Sequence, residues 1–345
     1  MNAECGLGHA CQFCPQEQTC HRDKSRHNKA LISARLEKIG QVLLVLSNKG
    51  GVGKSTVAAN LAVGLAAQGQ RVGLADADIH GPNQSRFFGL LETRSRPAPS
   101  GLTPGVFGGA GGAFPLRVGS LAFLLAEDSV PIVWRDAYKH DFLHHLIGSF
   151  DWGPLDTMVV DMPPGTGNEL ITLCDLLEGY NASAVLVSTP QAVAQMDSLK
   201  AARFCQERGL PILGAVENMA GVTCPQCGGE FHLFPDAGFG DALEALGIAR
   251  LARIPLVPEL ALGSDTGVPV VAAQPDGAAA HAFRPLIRAA VEAARAAFQE
   301  GLAAEMSGLG MRALVDGLPV DIAGEAAALL VDEAARLSRL ARADR

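Results

Sequence analysis

A glycine-rich segment directly after an apolar run constrains the fold of this chain more than any other feature. The run VLLVL, residues 42–46, leads into SNKGGVGKST, residues 47–56. Gly50, Gly51 and Gly53 allow backbone N–H groups to turn inward around an anion where a helix begins, and the helix dipole adds positive charge there. An ordinary glycine-rich strand-to-helix turn is the alternative, and the G-K-S-T sequence argues against it. The segment therefore predicts a phosphate-binding loop.

The residues of this loop have predicted roles. Lys54 is placed to reach the terminal phosphates of a nucleotide, and the Ser55 hydroxyl is placed to ligate Mg²⁺. The usual pattern would put glycine at position 48, where this chain has Asn48, the residue type that best tolerates a left-handed backbone after glycine. We assign nucleotide binding to Asn48, Gly50, Gly51, Val52, Gly53, Lys54, Ser55 and Thr56.

Beyond the loop, short apolar runs alternate with segments of helical spacing. Strands are predicted at residues 41–47, 71–76, 156–162, 183–189 and 211–217, and helices at 54–69, 168–180 and 193–209. Strand–helix–strand repeats of this kind predict an α/β fold, with a doubly wound, mainly parallel sheet covered by helices on both faces. Ligands of such folds bind at the carboxyl ends of the strands.

Two regions depart from this alternation. Residues 94–114 are too rich in Gly and Pro for regular structure and predict a mobile loop or loose hairpin after the second strand. Residues 282–306 and 324–345 predict helices near the end of the chain. We expect a Cys-rich segment at 1–37, a P-loop domain at 38–300 and a helical extension at 301–345.

Charge and hydropathy exclude several classes of protein. With 28 basic and 36 acidic residues the formal charge is −8, so the basic surface expected of a nucleic-acid or anionic-membrane binder is missing overall. The chain lacks the roughly 20 consecutive apolar residues of a spanning helix and an apolar secretory region at its start. We expect a cytoplasmic protein with neither nucleic-acid nor membrane partners.

The sequence K-G-G-V-G-K-S-T, residues 49–56, resembles the deviant Walker A motif of the MinD/ParA/nitrogenase-iron-protein class of ATPases. The resemblance implies that Lys49 reaches across a two-fold dimer to the partner's nucleotide, although a solvent-facing lysine is the alternative. It implies that Asp78, in LADADIHGPN, orients the attacking water. It also implies that Asp161, in VVDMPPGTGNE, holds Mg²⁺ through water while Gly165 approaches the γ-phosphate. An aspartate at a strand end can also cap the next helix.

The segments DADIHGPN, DMPPGTG and ENMAGVTCPQC together resemble the Mrp/ApbC family of iron-sulfur cluster carrier ATPases, over residues 42–271. The family implies a P-loop homodimer that binds and slowly hydrolyses ATP with Mg²⁺. It also implies a labile 4Fe-4S cluster that the dimer passes to apo iron-sulfur client proteins. Asn168 replaces the family's aspartate, and VWRDA, residues 133–137, replaces its W-R-G-P; neither change removes a phosphate or Mg²⁺ ligand.

The pair Cys224 and Cys227 forms a C-x-x-C motif. Two thiolates can grip one metal centre, whereas tetrahedral sites need about four ligands. A symmetric dimer would supply four cysteines to one bridging cluster. The local sequence fits zinc equally well, with His232 as a further ligand, and the surrounding ATPase motifs favour iron-sulfur.

Four more cysteines lie in the first twenty residues, where a metal could supply the ordering free energy that a small core cannot. The C-x-x-C-x5-C part of their spacing resembles a longer subgroup, the cytosolic nucleotide-binding iron-sulfur scaffolds, which carry a second, N-terminal 4Fe-4S cluster. The predicted ligands are Cys5, Cys11, Cys14 and Cys20. His9 or His21 could replace Cys5, and zinc is an alternative metal.

Asn218 matches the position that reads adenine in related ATPases, and a structural turn asparagine is the alternative.

Two other functions compete with cluster transfer. A positioning ATPase of the MinD/ParA type, which binds membrane or DNA rather than metal, would use the tail at 325–345 as an amphipathic membrane helix, which its acidic residues oppose. A zinc-binding metallochaperone NTPase would use the C-x-x-C for zinc, although no N-K-x-D guanine signature is present.

Overall fold

The centre of the molecule is an eight-stranded sheet. The computed structural model describes residues 8, 11, 14, 17–79, 81–108, 116–125, 136–224, 226–235 and 238–308. The chain divides into two units, Met1–Glu292 and Ala293–Arg345, and the sheet lies in the first. The strands of the sheet are β1 (Ile39–Leu46), β2 (Val72–Asp76), β5 (Gly105–Phe107), β6 (Leu116–Ser120), β7 (Leu155–Asp161), β8 (Ala182–Ser188), β9 (Ile212–Asn218) and β12 (Arg250–Ile254).

The strand order is β12-β9-β8-β1-β7-β2-β6-β5. Every pairing in this sheet is parallel except that of β5 with β6. Two small antiparallel hairpins lie outside the sheet: β3 (Pro97–Ala98) with β4 (Gly101–Leu102), and β10 (Val222–Thr223) with β11 (Glu230–Phe231). The predicted mainly parallel sheet is confirmed.

Helices cover both faces of the sheet, as predicted. They are α1 (Lys24–Leu36), α2 (Lys54–Ala67), α3 (Gln84–Phe87), α4 (Asp136–Gly148), α5 (Asn168–Leu176), α6 (Ala192–Glu207), α7 (Phe239–Glu244), α8 (Pro258–Thr266), α9 (Val270–Ala273) and α10 (Ala278–Gly308).

Strand β1 shows how the two cores form. Its side chains alternate between faces, since successive residues of a strand point to opposite sides. Val42 and Leu44 enter a core with α1, α4, α5 and α6, whereas Leu43 and Val45 enter the other core with α2 and α10. Burial on both faces explains why the strand reads as a continuous apolar run.

Helix α1 is the main element that the sequence did not predict, within the segment assigned as Cys-rich. The Asp23 carboxylate caps its start by accepting the Arg26 N–H at 3.0 Å. Leu31, Ile32 and Leu36 are buried on its inner side. The helix therefore contributes buried apolar side chains within the segment at 1–37, for which we predicted that a metal supplies the ordering free energy.

The Gly- and Pro-rich region contains the hairpin β3–β4, in agreement with one of the two predicted alternatives. The same region also contributes β5, whose antiparallel pairing with β6 forms one edge of the sheet and was not predicted. Residues 109–114 of this region lie outside the described residues.

The predicted helix at 282–306 lies within α10, and the one predicted at 324–345 lies outside the described residues. Among the helices that the structure describes, none has the length and apolar content to cross a membrane.

Candidate functional site

The glycine-rich loop joins the carboxyl end of β1 to the start of α2. Gly51 and Gly53 adopt φ values of 80° and 83°, in the left-handed region that favours glycine. A Cβ on Gly53 would also lie 2.1 Å from the Asn218 Nδ2. No side chain caps the start of α2, so its first N–H groups are available to an anion.

The loop faces open space on its outer side, because a Cβ built on Gly50 or Gly51 would meet nothing within 4 Å. Val52 is buried, whereas Asn48, Lys49, Ser55 and Thr56 are partly exposed. These predicted residues therefore lie together around a cradle lined by backbone.

Lys54 is the buried cation of this cradle. Its Nζ donates to the Asp161 Oδ1 at 2.6 Å and lies 4.0 Å from the Asp78 Oδ2. The Lys54 and Asp161 side chains are 6% and 1% exposed, so this ion pair is shielded from solvent. Charge-assisted hydrogen bonds of this length are among the strong ones. The structure thus brings together three residues that the sequence predicted from separate motifs.

Gln84 completes the same network, and the sequence analysis did not identify it. Its Nε2 donates to the Asp161 Oδ2 at 2.8 Å and to the Ser55 carbonyl oxygen at 3.1 Å. The residue is fully buried at the start of α3, just beyond the DADIHGPN segment. A polar residue next to that segment was the available signal, although its contacts depend on the fold.

Asp76 pairs directly with Asp161 across the β2–β7 register. Its Oδ2 accepts the Gln84 N–H at 3.1 Å and the Ser120 hydroxyl at 3.0 Å. Burial raises the pKa of the Asp76 carboxyl well above its usual value, and the nearby charge of Asp161 raises this pKa further. The Asp76 carboxyl is therefore held in place by Gln84 and Ser120, beside the buried Lys54–Asp161 ion pair.

Asp78 lies at the rim of the network. Its Oδ1 accepts the Gly81 N–H at 3.2 Å, and its side chain is 16% exposed. The carboxylate therefore faces the loop near Lys54 while part of it remains open to solvent.

The DMPPGTG segment returns to the glycine-rich loop. The Gly165 N–H donates to the Ser47 carbonyl oxygen at 2.9 Å, and Gly165 has a φ of 106° with open space beside it. Asn168 is the first residue of α5. The two motifs are therefore connected by backbone contact.

Asn218 fastens the loop from the other side. Its Nδ2 donates to the Val52 carbonyl oxygen at 2.8 Å, and the residue is buried at the end of β9. The contact is a structural one, as in the turn alternative, so adenine recognition by Asn218 stays a prediction. Met219 follows with a φ of 57°, and the next residue remains beside β12, because the Ala220 N–H donates to the Ile254 carbonyl oxygen at 2.9 Å.

The donor set of this site fits Mg²⁺. The Ser55 hydroxyl and the Asp161 and Asp78 carboxylates are oxygen ligands of the kind that Mg²⁺ prefers. The buried Gln84 Oε1 also has no hydrogen-bond partner among the described residues. A cation that retains water ligands would supply donors to such an acceptor.

The second candidate site is the hairpin β10–β11, which carries Cys224 and Cys227. The Cys224 N–H donates to the Gly229 carbonyl, and the Gly228 N–H donates to the Cys224 carbonyl, both at 2.9 Å. Hydrogen bonds from the backbone N–H groups of Cys227 and Gln226 lower the pKa of the Cys224 thiol. Cys224 is partly exposed and Cys227 is exposed, so both are accessible for binding a metal.

His232 is anchored at the base of this hairpin. Its Nδ1 lies 3.0 Å from the Ala220 carbonyl oxygen, which makes Nδ1 the donor and leaves Nε2 as the ring's ligating atom. Its role as a zinc ligand stays a prediction.

The N-terminal cysteines Cys11, Cys14 and Cys20 are partly exposed. The Cys14 N–H donates to the Cys11 carbonyl at 3.0 Å, and the Cys11 N–H donates to the Asn28 Oδ1 of α1 at 3.1 Å. Cys5 and His9 lie outside the described residues, and His21 is exposed. Within the described part of the chain, no three His, Cys, Asp or Glu side chains are grouped closely enough to hold one metal ion.

Comparison with known proteins identifies a family that this chain matches. A model of the ParA family, described as "NUBPL iron-transfer P-loop NTPase", matches residues 38–291. An iron-sulfur cluster carrier protein of Methanocaldococcus jannaschii is 35% identical, over 82% of this chain and 95% of that protein. The cytosolic Fe-S cluster assembly factor NBP35 of Eremothecium gossypii is 38% identical, over 82% of this chain and 86% of that protein.

Solved structures agree with the fold. A nucleotide-binding protein of Archaeoglobus fulgidus in complex with ADP has a TM-score of 0.60 at 35% identity, covering 69% of this chain and 91% of that one. The cell division protein MinD of Aquifex aeolicus has a TM-score of 0.50 at 19% identity, covering 73% of this chain and 97% of that one. At that identity the MinD likeness concerns the fold alone.

Proposed function

Since the chain belongs to the ParA-type family of NUBPL iron-transfer P-loop NTPases, we propose that it is an ATP-dependent iron-sulfur cluster carrier. It binds and slowly hydrolyses ATP with Mg²⁺, assembles a labile 4Fe-4S cluster between two copies of the chain and transfers the cluster to apo-proteins. One observation carries the proposal. Asn218, the last residue of β9, holds the glycine-rich loop through Val52, and the cysteine hairpin begins four residues later at Val222.

Each part of the nucleotide site has a proposed task. Lys54 exchanges Asp161 for the β- and γ-phosphates, and the Ser55 hydroxyl and Asp161 would hold Mg²⁺. When bound, Mg²⁺ neutralises charge on the phosphate oxygens. The open space around Gly50 and Gly51 supports phosphate binding, because a Cβ built on either glycine would meet nothing within 4 Å.

Two further residues act on the transferred phosphoryl group in this proposal. Asp78 orients the attacking water from its partly exposed position near Lys54. Lys49 is partly exposed and reaches the partner's nucleotide, where positive charge stabilises the transition state. Slow hydrolysis suits a nucleotide that switches a dimer between states.

A homodimer is supported by apolar side chains exposed in the segments that follow β8, β9 and β12. Exposed apolar surface at one edge of a sheet commonly marks an interface. The residues are Val193, Met196, Phe231, Leu233, Leu256 and Leu262. A second copy placed against this edge would cover part of that surface and bring the two cysteine hairpins together.

The iron-sulfur cluster is the cargo of the protein. Each chain offers Cys224 and Cys227 on an exposed hairpin, and two copies supply the four thiolates that a 4Fe-4S cluster needs. The lowered pKa of Cys224 favours the thiolate that ligates iron. A cluster held by few bonds per chain at an exposed position is suited to transfer.

The remaining assignments are also part of the proposal. Cys5, Cys11, Cys14 and Cys20 bind a second, more stable cluster within the segment at 1–37. The ATPase domain spans 38–300, followed by the helical extension at 301–345. A cytoplasmic location is supported by the Eremothecium relative, whose name describes it as cytosolic.

The proposal is tested by measuring iron, sulfide and zinc in protein purified and reconstituted without oxygen. We expect broad absorbance near 400 nm, and we expect Cys224→Ser with Cys227→Ser to remove about two iron atoms per chain, half of a shared four-iron cluster. The iron that remains should be the N-terminal share. Stoichiometric zinc without iron at Cys224 and Cys227 would instead support a zinc-binding metallochaperone NTPase.

A further inference from the structure

Gln84 is a fully buried amide at the centre of the nucleotide site. Its Nε2 donates to two acceptors, the Asp161 Oδ2 at 2.8 Å and the Ser55 carbonyl oxygen at 3.1 Å. Because neither partner can donate, the nitrogen of the amide must face them, and this fixes which way the side chain is turned. The Oε1 atom therefore points away from both.

That Oε1 atom is itself buried and has no hydrogen-bond partner within the described parts of the chain. A buried acceptor without a donor is rare in folded proteins and calls for an explanation, such as a bound water or ion. Asp161 and Ser55, which contact Gln84, are also the predicted ligands of a cation. Water bound to such a cation is a strong hydrogen-bond donor and could supply the missing partner.

Gln84 and Lys54 bind different oxygen atoms of the Asp161 carboxylate. Lys54 occupies Oδ1 at 2.6 Å, and Gln84 occupies Oδ2 at 2.8 Å. If Lys54 turns to the phosphates, Oδ1 is released while the amide still holds Oδ2. The carboxylate would then keep its orientation when its cationic partner moves.

The backbone of Gln84 connects this amide to the preceding loop. Its N–H donates to the Asp76 Oδ2 at 3.1 Å, and Asp78 lies in the loop between Asp76 and Gln84. The position of the loop that carries Asp78 is thus linked through one residue to Asp161 and to the first turn of α2.

We propose that Gln84 is a positioning residue of the divalent-cation site. Its amide nitrogen fixes Asp161, and its Oε1 accepts a hydrogen bond from a water of the cation's hydration shell. The inference rests on the proposed use of Mg²⁺ with ATP. Removing an outer partner of a metal ligand typically costs 10–100-fold in metal affinity, so the loss of the Gln84 amide should weaken Mg²⁺ by roughly tenfold.

The test is a Mg²⁺ titration of full-length protein with a fluorescent ATP analogue, beside a titration of the same analogue in EDTA. The variant Gln84→Met keeps the length and burial of the side chain and removes both hydrogen-bonding functions. The matched control is Gln41→Met. Gln41 is also a buried glutamine, and its Nε2 donates to Thr157 Oγ1 at 2.8 Å and to the Ala290 carbonyl at 3.0 Å, at the amino-terminal half of β1.

We expect Gln84→Met to raise the Mg²⁺ midpoint roughly tenfold, with analogue binding in EDTA unchanged, while Gln41→Met titrates like the natural protein. An unchanged midpoint in Gln84→Met would overturn the proposal. Equal shifts in both glutamine variants would also overturn it, because they would indicate a general effect of losing a buried amide.

Thermal unfolding of each variant reports whether it is folded at the assay temperature. Should Gln84→Met be unfolded there, Gln84→Asn provides the same test, since it keeps the amide and shortens its reach by one methylene. Failure of the broader proposal is distinguishable: natural protein would then bind the analogue equally with Mg²⁺ and with EDTA.

Discussion

The nucleotide site and the cysteine hairpin are built in opposite ways. Around Lys54, charged and polar groups are buried and meet at 2.6–3.1 Å, so that each side chain holds another in place. Around Cys224, the backbone of a short exposed hairpin supplies the contacts, and the thiols face outward. A buried network fixes geometry for chemistry on a bound ligand, whereas an exposed pair of thiols allows a ligand to arrive and leave.

The largest expected effect concerns thiol reactivity, compared between the cysteine hairpin and Cys205, a cysteine of α6 buried in the core. Burial raises the pKa of the Cys205 thiol to about 12 from an ordinary value of 9.0, roughly a thousandfold fewer thiolates at neutral pH. The pKa of Cys224 is lowered by backbone N–H groups. In metal-free folded protein, Cys224 should therefore alkylate more than roughly a thousand times faster than Cys205 at pH 7.

Peptide mass spectrometry after timed iodoacetamide treatment measures both rates. As the pH rises, the rate at Cys224 should level off below the ordinary cysteine pKa, while Cys205 remains unmodified to pH 9. Comparable rates at the two cysteines in folded protein would remove the contrast between hairpin and core.

The next largest effect concerns Lys54→Ala. The change removes the phosphate-binding cation and leaves Asp161 buried without its partner at 2.6 Å. ATP hydrolysis should fall by roughly a hundredfold or more, and chemical loading of iron at the cysteine hairpin should remain. A phosphate-release assay and iron quantitation measure the two activities.

Lys38→Ala is the matched control for that variant, because Lys38 is an exposed lysine just before β1. It should hydrolyse ATP at the natural rate. Hydrolysis by Lys54→Ala at the control's rate would refute the assignment of the site.

The smallest expected effect comes from comparing two glycines with a left-handed backbone conformation, one from each region. Gly53 has a φ of 83° and lies against Asn218, whereas Gly228 of the hairpin has a φ of 71° and nothing within 4 Å of an added Cβ. Backbone strain costs each alanine variant about 1–2 kcal/mol. Gly53→Ala also collides with the Asn218 amide, so it should weaken ATP binding by roughly tenfold, equivalent to about 1.4 kcal/mol.

Gly228→Ala should keep ATP affinity within about twofold, since its strain is local to an exposed turn. Isothermal titration calorimetry with ATP and chemical denaturation of both variants separate affinity from stability. If Gly228→Ala weakened ATP binding as much as Gly53→Ala, the two regions would be more tightly connected than their contacts indicate.

The sequence predicted those parts of the molecule whose signals are local. The glycine-rich loop was recognisable from its composition, and strands such as β1 and β7 were recognisable from their continuous apolar runs. Strands β5 and β6 were missed, because their short stretches become strands only by pairing with each other and with β2. Helix α1 was missed because its first six residues are polar or charged, so its apolar residues are confined to its second half and give little helical periodicity.

The same distinction holds within the candidate site. Lys54, Asp78 and Asp161 belong to recognisable motifs, and the fold brings them together. Gln84 has no motif of its own here, and its importance follows from two hydrogen bonds to residues 29 and 77 positions away in the chain. The contact of Asn218 with Val52 likewise depends on the arrangement of β9 beside the loop.

The most direct test of the central claim is the mass of the intact protein, measured by native mass spectrometry without oxygen in the presence of ATP, Mg²⁺ and reconstituted iron and sulfide. We predict two chains with one shared four-iron cluster, and the loss of that shared cluster when Cys224 and Cys227 are both changed to serine. A single chain that carries its full complement of metal under the same conditions would contradict the account.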